Sequence, residues 1–84
     1  MRTVHKFPFV VEDEVKIEMP IGAKILKVEE QDGSPCMWAL VDTKRMKHTR
    51  TFRVFGTGHP VEMVKHHIGT FLSKGGDRVW HVFE

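Results

Sequence analysis

The sequence predicts an all-β protein, a small antiparallel sandwich or barrel of about seven strands. Three observations carry that expectation. Apolar and polar residues alternate with a period of two along several short stretches, as in strands with one face buried. Turn residues, chiefly Gly, Pro and Asp, punctuate those stretches at hairpin spacing. Six Phe and two Trp among 84 residues supply the apolar bulk for one core. No repeat or linker divides the chain, so residues 1–84 form a single domain.

Residues 3–11 place His5, Phe7, Phe9 and Val11 on one side of a strand. Pro8 lacks a donor N–H and marks an edge strand or a bulge. Glu12 and Asp13 form a turn. Over residues 14–19 the alternation is clean, with Val15, Ile17 and Met19 opposed to Glu14, Lys16 and Glu18. Pro20-Ile21-Gly22 ends that run. Residues 23–30 read as a third strand, with Leu26 and Val28 opposed to Ile25 and Lys27. Asp32-Gly33 is a hairpin signal, because both residues tolerate the positive φ that tight two-residue turns require. The returning strand, 35–42, carries Cys36, Trp38 and Leu40 on one face and Met37, Ala39 and Val41 on the other. Apolar residues on both faces make it the candidate centre of the sheet, with Trp38 in the core.

Residues 43–49 are polar and basic and read as a solvated loop, followed by a strand at 51–55. Residues 60–67 have the length of one or two helical turns. Pro60 suits a first helical position, and Glu62 suits the positive end of a helix dipole. A full helix there would shift the class to α+β. Residues 68–72 and 78–83 alternate again across Lys74-Gly75-Gly76-Asp77 and form a terminal hairpin. Val79, His81 and Phe83 take one face of it, and Trp80 and Val82 the other. Trp80 is thereby the tryptophan expected on an outer face or in a subunit contact.

Thirteen Lys and Arg against eleven Asp and Glu give a net charge of +2. That excludes a highly acidic nucleic-acid mimic and a strongly basic nucleic-acid protein, although the distribution of charge matters more than its sum. Cys36 is alone, whereas secreted domains of this size are usually disulfide-dense. The first residues read as neither a signal nor a transit peptide, and no apolar run approaches the roughly 20 residues of a membrane span. These features predict a cytoplasmic protein. A core this small commonly gains stability by forming a homo-oligomer.

Catalytic chemistry finds little support. Cys36 begins an apolar strand, where a thiol is usually buried and inert. No Ser stands in a nucleophile-elbow sequence, and Glu12, Asp13 and Glu14 sit at a turn where solvation accounts for them. No cofactor motif is present. The six histidines (His5, His48, His59, His66, His67 and His81) lack the i, i+3 or i+4 spacing of zinc ligands, so no metal site is expected. The chain reads as a binding protein rather than an enzyme.

One loop has a composition that can hold an anion. Arg53 and Phe55 precede Gly56-Thr57-Gly58-His59. Two glycines let backbone N–H groups crowd a phosphate, and a helix starting at Pro60 would add its dipole. Arg53 and His59 supply charge, Phe55 a stacking face, and His67 is a neighbour. The competing reading is a strand-to-turn corner with positive φ at both glycines. Composition leaves both open. The basic residues Lys44, Arg45, Lys47, Arg50 and Arg53 diverge to two faces if 49–54 is a strand, which favours a solvated surface.

The segments EMPIGAKIL at 18–26, GSPCMWALV at 33–41, FGTGH at 55–59, HIGTF at 67–71 and HVFE at 81–84 together resemble a family of short, uncharacterised proteins encoded by bacteriophages and prophages. The resemblance covers nearly the whole chain. It implies an accessory protein acting in the host cytoplasm by binding, without turnover. On that reading the protein binds a small anionic, nucleotide-derived ligand, as a counter-defence sponge would. The ligand residues would be Arg53, Phe55, Gly56, Thr57, Gly58, His59 and His67. The alternative is an interaction module that blocks or modulates a host protein through its strand edges or Trp80.

Overall fold

Strands form where alternation puts apolar side chains on one face. The computed structural model describes residues 1–73 and 75–84. Among them are seven strands and no helix: β1 (Arg2–Pro8), β2 (Glu14–Pro20), β3 (Lys24–Gln31), β4 (Ser34–Asp42), β5 (Lys47–Gly56), β6 (His67–Leu72) and β7 (Val79–Phe83). All pairings are antiparallel. They build a three-stranded sheet of order β1-β4-β3 and a four-stranded sheet of order β2-β5-β7-β6. The all-β expectation therefore holds, and the two sheets pack as a sandwich. No helix among the described residues is long and apolar enough to cross a membrane.

The core lies between the sheets. Met37, Ala39 and Val41 of β4 face it from one side, and Val15, Ile17, Met19, Phe52, Val54 and Val82 from the other. Phe9, in the crossing from β1 to β2, meets Phe71 of β6 edge-on at 6.1 Å between centroids. β4 is the central strand of its sheet, as its doubly apolar pattern predicts. The β3–β4 hairpin closes on Asp32 (φ 51) and Gly33 (φ 83), the double positive φ of a primed turn whose twist matches that of the strands.

Several expectations are corrected. Residues 60–66 contain no helical turn and His67 opens β6; Met63 has φ 61, which a right-handed helix does not accept. β5 starts at Lys47, so the last three residues of the expected basic loop are strand. In β3 the register slips between Ile25 and Lys27, and a bulge there breaks the alternation. As a result Ile25 and Val28 both pack in the core while Leu26 is exposed. The two tryptophans exchange roles. Trp38 is paired with Lys6 and Lys27 on the outer face of the three-stranded sheet, whereas Trp80 packs against the core. The terminal hairpin forms as expected, although Lys74 of its turn lies outside the described residues.

The sheets approach most closely where β6 crosses β3. A Cβ at Gly69 would lie 3.0 Å from Val28 Cγ2 and 3.3 Å from Val28 Cβ, so only a glycine fits without displacement. Gly69→Val should therefore cost about 1–3 kcal/mol by overpacking. The check is the midpoint of urea unfolding at unchanged m-value; an unchanged midpoint would mean the β3–β6 approach is loose.

Candidate functional site

Strand pairing brings three of the expected site residues, Arg53, Phe55 and His67, together on the outer face of the four-stranded sheet. In β5 the even-numbered Phe52 and Val54 enter the core, which turns Thr51, Arg53 and Phe55 outward. The β5–β7 register sets Arg53 opposite Phe83 and Phe55 opposite His81. The β6–β7 register then brings His67 opposite Phe83 and Thr70 opposite His81. Residues distant in sequence become cross-strand neighbours, and such pairs interact directly.

Two Phe rings form the apolar part of this face. Phe55 meets Phe83 edge-on at 5.9 Å, and His67 meets Phe83 at 5.2 Å on its other side. Beside them runs a chain of hydrogen bonds. Thr57 Oγ1 lies 2.8 Å from His81 Nε2, His81 Nδ1 lies 3.1 Å from Thr70 Oγ1, and Thr70 Oγ1 lies 2.9 Å from His67 Nε2. Each hydroxyl carries one proton and each neutral imidazole one N–H. The chain can therefore run in either direction, and reversing it turns both hydroxyls and switches the tautomer of both imidazoles. It is exposed throughout.

Arg53 is not unengaged. Its Nη2 donates to Glu14 Oε2 at 3.0 Å, with both side chains about a third exposed. An incoming anion would compete with this carboxylate for the guanidinium. The Gly-Thr-Gly segment is a turn closed by the His59 amide donating to the Gly56 carbonyl at 3.1 Å. Of its two glycines only Gly58 has positive φ, at +89°. Gly56 serves close approach instead, since a Cβ there would lie 3.1 Å from His59 Cε1. No helix follows, so the helix dipole expected to favour a phosphate is absent.

The seven expected residues therefore divide. Arg53, Phe55 and His59 line one concavity of about 530 Å³ with Asp13, Pro60 and Glu62. Gly56, Thr57 and His59 line a second, of about 200 Å³, with Arg78 and Trp80. His59 belongs to both and stands between them. His67 lies beyond Phe83, in the imidazole–hydroxyl chain, and Gly58 serves the turn alone. The sequence reading missed Phe83, His81, Thr70 and Glu14. Their signal was partly available, because Val79, His81 and Phe83 alternate onto one face. What alternation does not encode is that β7 lies between β5 and β6.

A larger groove, about 740 Å³, runs between the unpaired edges of β3 and β6. Both edges carry a bulge there, at Leu26 and Ile68. Among the described residues no three His, Cys, Asp or Glu side chains converge as metal ligands would.

A family model for a domain of unknown function, DUF7352, matches residues 1–84. No curated protein and no solved structure matches the chain.

Proposed function

The chain belongs to the DUF7352 family, a domain of unknown function, and from its architecture we propose that it works by binding a small anionic, nucleotide-derived ligand without turnover. One observation carries this reading. A guanidinium, two edge-to-face Phe rings and an imidazole–hydroxyl chain stand side by side on one sheet face. Arg53 pairs with a phosphate, Phe55 and Phe83 offer faces to a base or sugar, and Thr57, Thr70 and His81 give adaptable hydrogen bonds to ribose and phosphate oxygens. The likeness to short phage-encoded proteins supports an accessory, counter-defence role in the host cytoplasm. A homo-oligomer would present several such faces.

Thermal unfolding against nucleotides, cyclic dinucleotides and NAD-derived metabolites tests the reading. A ligand at 100 times its Kd adds about 2.7 kcal/mol, a rise in Tm of roughly 10–20 °C for a domain of this length. Arg53→Ala should abolish that rise. Glu14→Gln should enlarge it at a fixed subsaturating concentration, because the competing carboxylate is gone. A flat panel, or a rise that survives Arg53→Ala, rejects the site.

A second reading, a module that blocks or modulates a host protein, is favoured by the groove between β3 and β6. Both of its walls are strand edges with unpaired backbone groups, where an extended segment can add as a further strand. Capture of one stoichiometric host protein that is lost on Leu72→Lys would support it, whereas capture unaffected by that change would remove the groove from consideration.

A further inference from the structure

The outer face of the three-stranded sheet differs in character from the site above. Its centre is Trp38, half-buried, with Lys6 of β1 directly opposite on one side and Lys27 of β3 on the other. One step along β4, Leu40 lies between Val4 and Lys24, and Val4 is 49% exposed. Arg2 and Asp42 end the face. Four cationic side chains (Arg2, Lys6, Lys24 and Lys27) thus surround an apolar strip that also carries two carboxylates, Asp42 and Glu29. Asp42 is already engaged by the terminal ammonium and the Lys44 amide, and Glu29 by Lys27 at 3.0 Å. The chain's modest +2 is therefore unevenly spread, and this face holds a basic surplus.

We propose that this face binds single-stranded nucleic acid, with a base stacked at Trp38 and phosphates held by Lys6 and Lys27. The pattern is the one such binding requires: an aromatic platform for the π-face that every base carries, flanked by ammonium groups that track the backbone. Three strands at about 4.8 Å spacing set the two lysines at flanking positions on either side of Trp38. The Lys6 ammonium donates to Gln31 Oε1 at 2.9 Å and that of Lys27 pairs with Glu29 at 3.0 Å, and an incoming phosphate exchanges for these exposed partners. Charge argues against the other occupants. A second copy of the chain docked face to face would bring like-charged rims together, which a self-complementary interface avoids. An acidic chain without rings would satisfy the lysines by charge alone and leave Trp38, Leu40 and Val4 uncovered. This site shares no residue with the ligand face proposed above and stands or falls independently of it.

The test is fluorescence anisotropy of a labelled oligothymidylate titrated with the 84-residue protein at low and moderate salt. Binding is expected, weakening as salt rises because phosphate contacts release counterions. Trp38→Ala should weaken it about tenfold or more through lost stacking, while Trp38→Phe retains most of the affinity. Lys6→Glu/Lys27→Glu should weaken it further and flatten the salt dependence. Lys16→Glu/Lys65→Glu makes the same charge change elsewhere on the surface and should have a smaller effect. Circular dichroism and melting confirm that each variant is folded. Three outcomes overturn the proposal. One is no binding at low salt. Another is equal binding by wild type, Trp38→Ala and the Lys6/Lys27 variant. The third is displacement of the oligonucleotide by polyglutamate at equal charge concentration, which would reduce the face to unspecific charge.

Discussion

Phe52→Ala should leave this domain close to its unfolding threshold. Phe52 is 0% exposed and sits mid-way along β5, the strand that bridges β2 and β7. Its ring fills the space between the sheets, and the Arg50 guanidinium lies 5.5 Å above its centroid. Truncation loses the transfer energy of the ring and leaves a cavity that close-packed neighbours cannot fill, together about 3–5 kcal/mol. A domain of this length has a total stability of about 4–12 kcal/mol. Urea unfolding should show a large fall in midpoint, or no folded baseline at all. Trp38→Ala is the informative contrast. Trp38 has the larger side chain, yet it lies half-buried on the outer face, where truncation opens no internal cavity, so its loss should be smaller than that of Phe52. Equal losses for the two variants would mean that Trp38 carries as much of the packing as Phe52.

That contrast also marks where sequence reading succeeds and where it stops. The alternation of Glu14–Pro20 places Val15, Ile17 and Met19 inside, because a charge at every second residue leaves one way to face the strand. Asp32-Gly33 specifies its hairpin for an equally local reason. On β4 both faces are apolar, so alternation marks a central strand but does not say which face meets the other sheet. Small Ala39 and flexible Met37 were chosen for the interior, and the bulkier Trp38 was left outside. The bulges at Leu26 and Ile68 are also hidden, since an inserted residue changes the phase without changing the composition. Helicity expected near residues 60–67 rested on a proline and one acid. The backbone instead turns at Met63, and the Lys65 and His66 amides bond the Glu84 carbonyl at 2.9 Å. For the site, the loop at Phe55–His59 was legible from its glycines, as was the outward set of β7. Their meeting was not. It depends on a β5-β7-β6 order that rests on the packing of all seven strands, and from it come the Phe55–Phe83 and Thr70–His81 contacts.

Removing Arg50 should cost more stability than removing any other polar side chain among residues 1–73 and 75–84. Arg50 lies on the core-facing side of β5 beyond Phe52, where burial would be costly for an unpaired guanidinium. Its donors are met. Nε and Nη2 reach the two Glu84 carboxylate oxygens at 2.8 and 2.6 Å, and Nη1 donates to the Ala23 carbonyl at 2.6 Å and to Met19 Sδ at 3.5 Å. The fork ties the end of β7 to the β2–β3 crossing and so joins the two sheets. Arg50→Ala leaves the Glu84 carboxylate and the Ala23 carbonyl without this donor. With side chains 16% and 28% exposed, the cost is about 2–3 kcal/mol, below that of a fully buried pair. The pH dependence gives a second readout. The hydrogen bond from Arg50 holds the Glu84 carboxyl below its usual value, against the opposing effect of burial, with the charges of Arg50, His66 and His48 adding to it. A carboxyl whose pKa is lower folded than unfolded binds fewer protons in the native state. It stabilises fully above the unfolded value, and that contribution is lost as pH falls through the folded one. Arg50 is shifted further upward by the same bond, so it stays charged across this range and adds no slope. The wild type should therefore lose stability on acidification through the carboxylate range, and Arg50→Ala should lose less over the same interval. A double-mutant cycle with Glu84→Gln should return a coupling of about 1–2 kcal/mol near neutrality that vanishes in acid. Coupling that persists in acid would mean the fork is held by packing against Phe52 and Met19 rather than by charge.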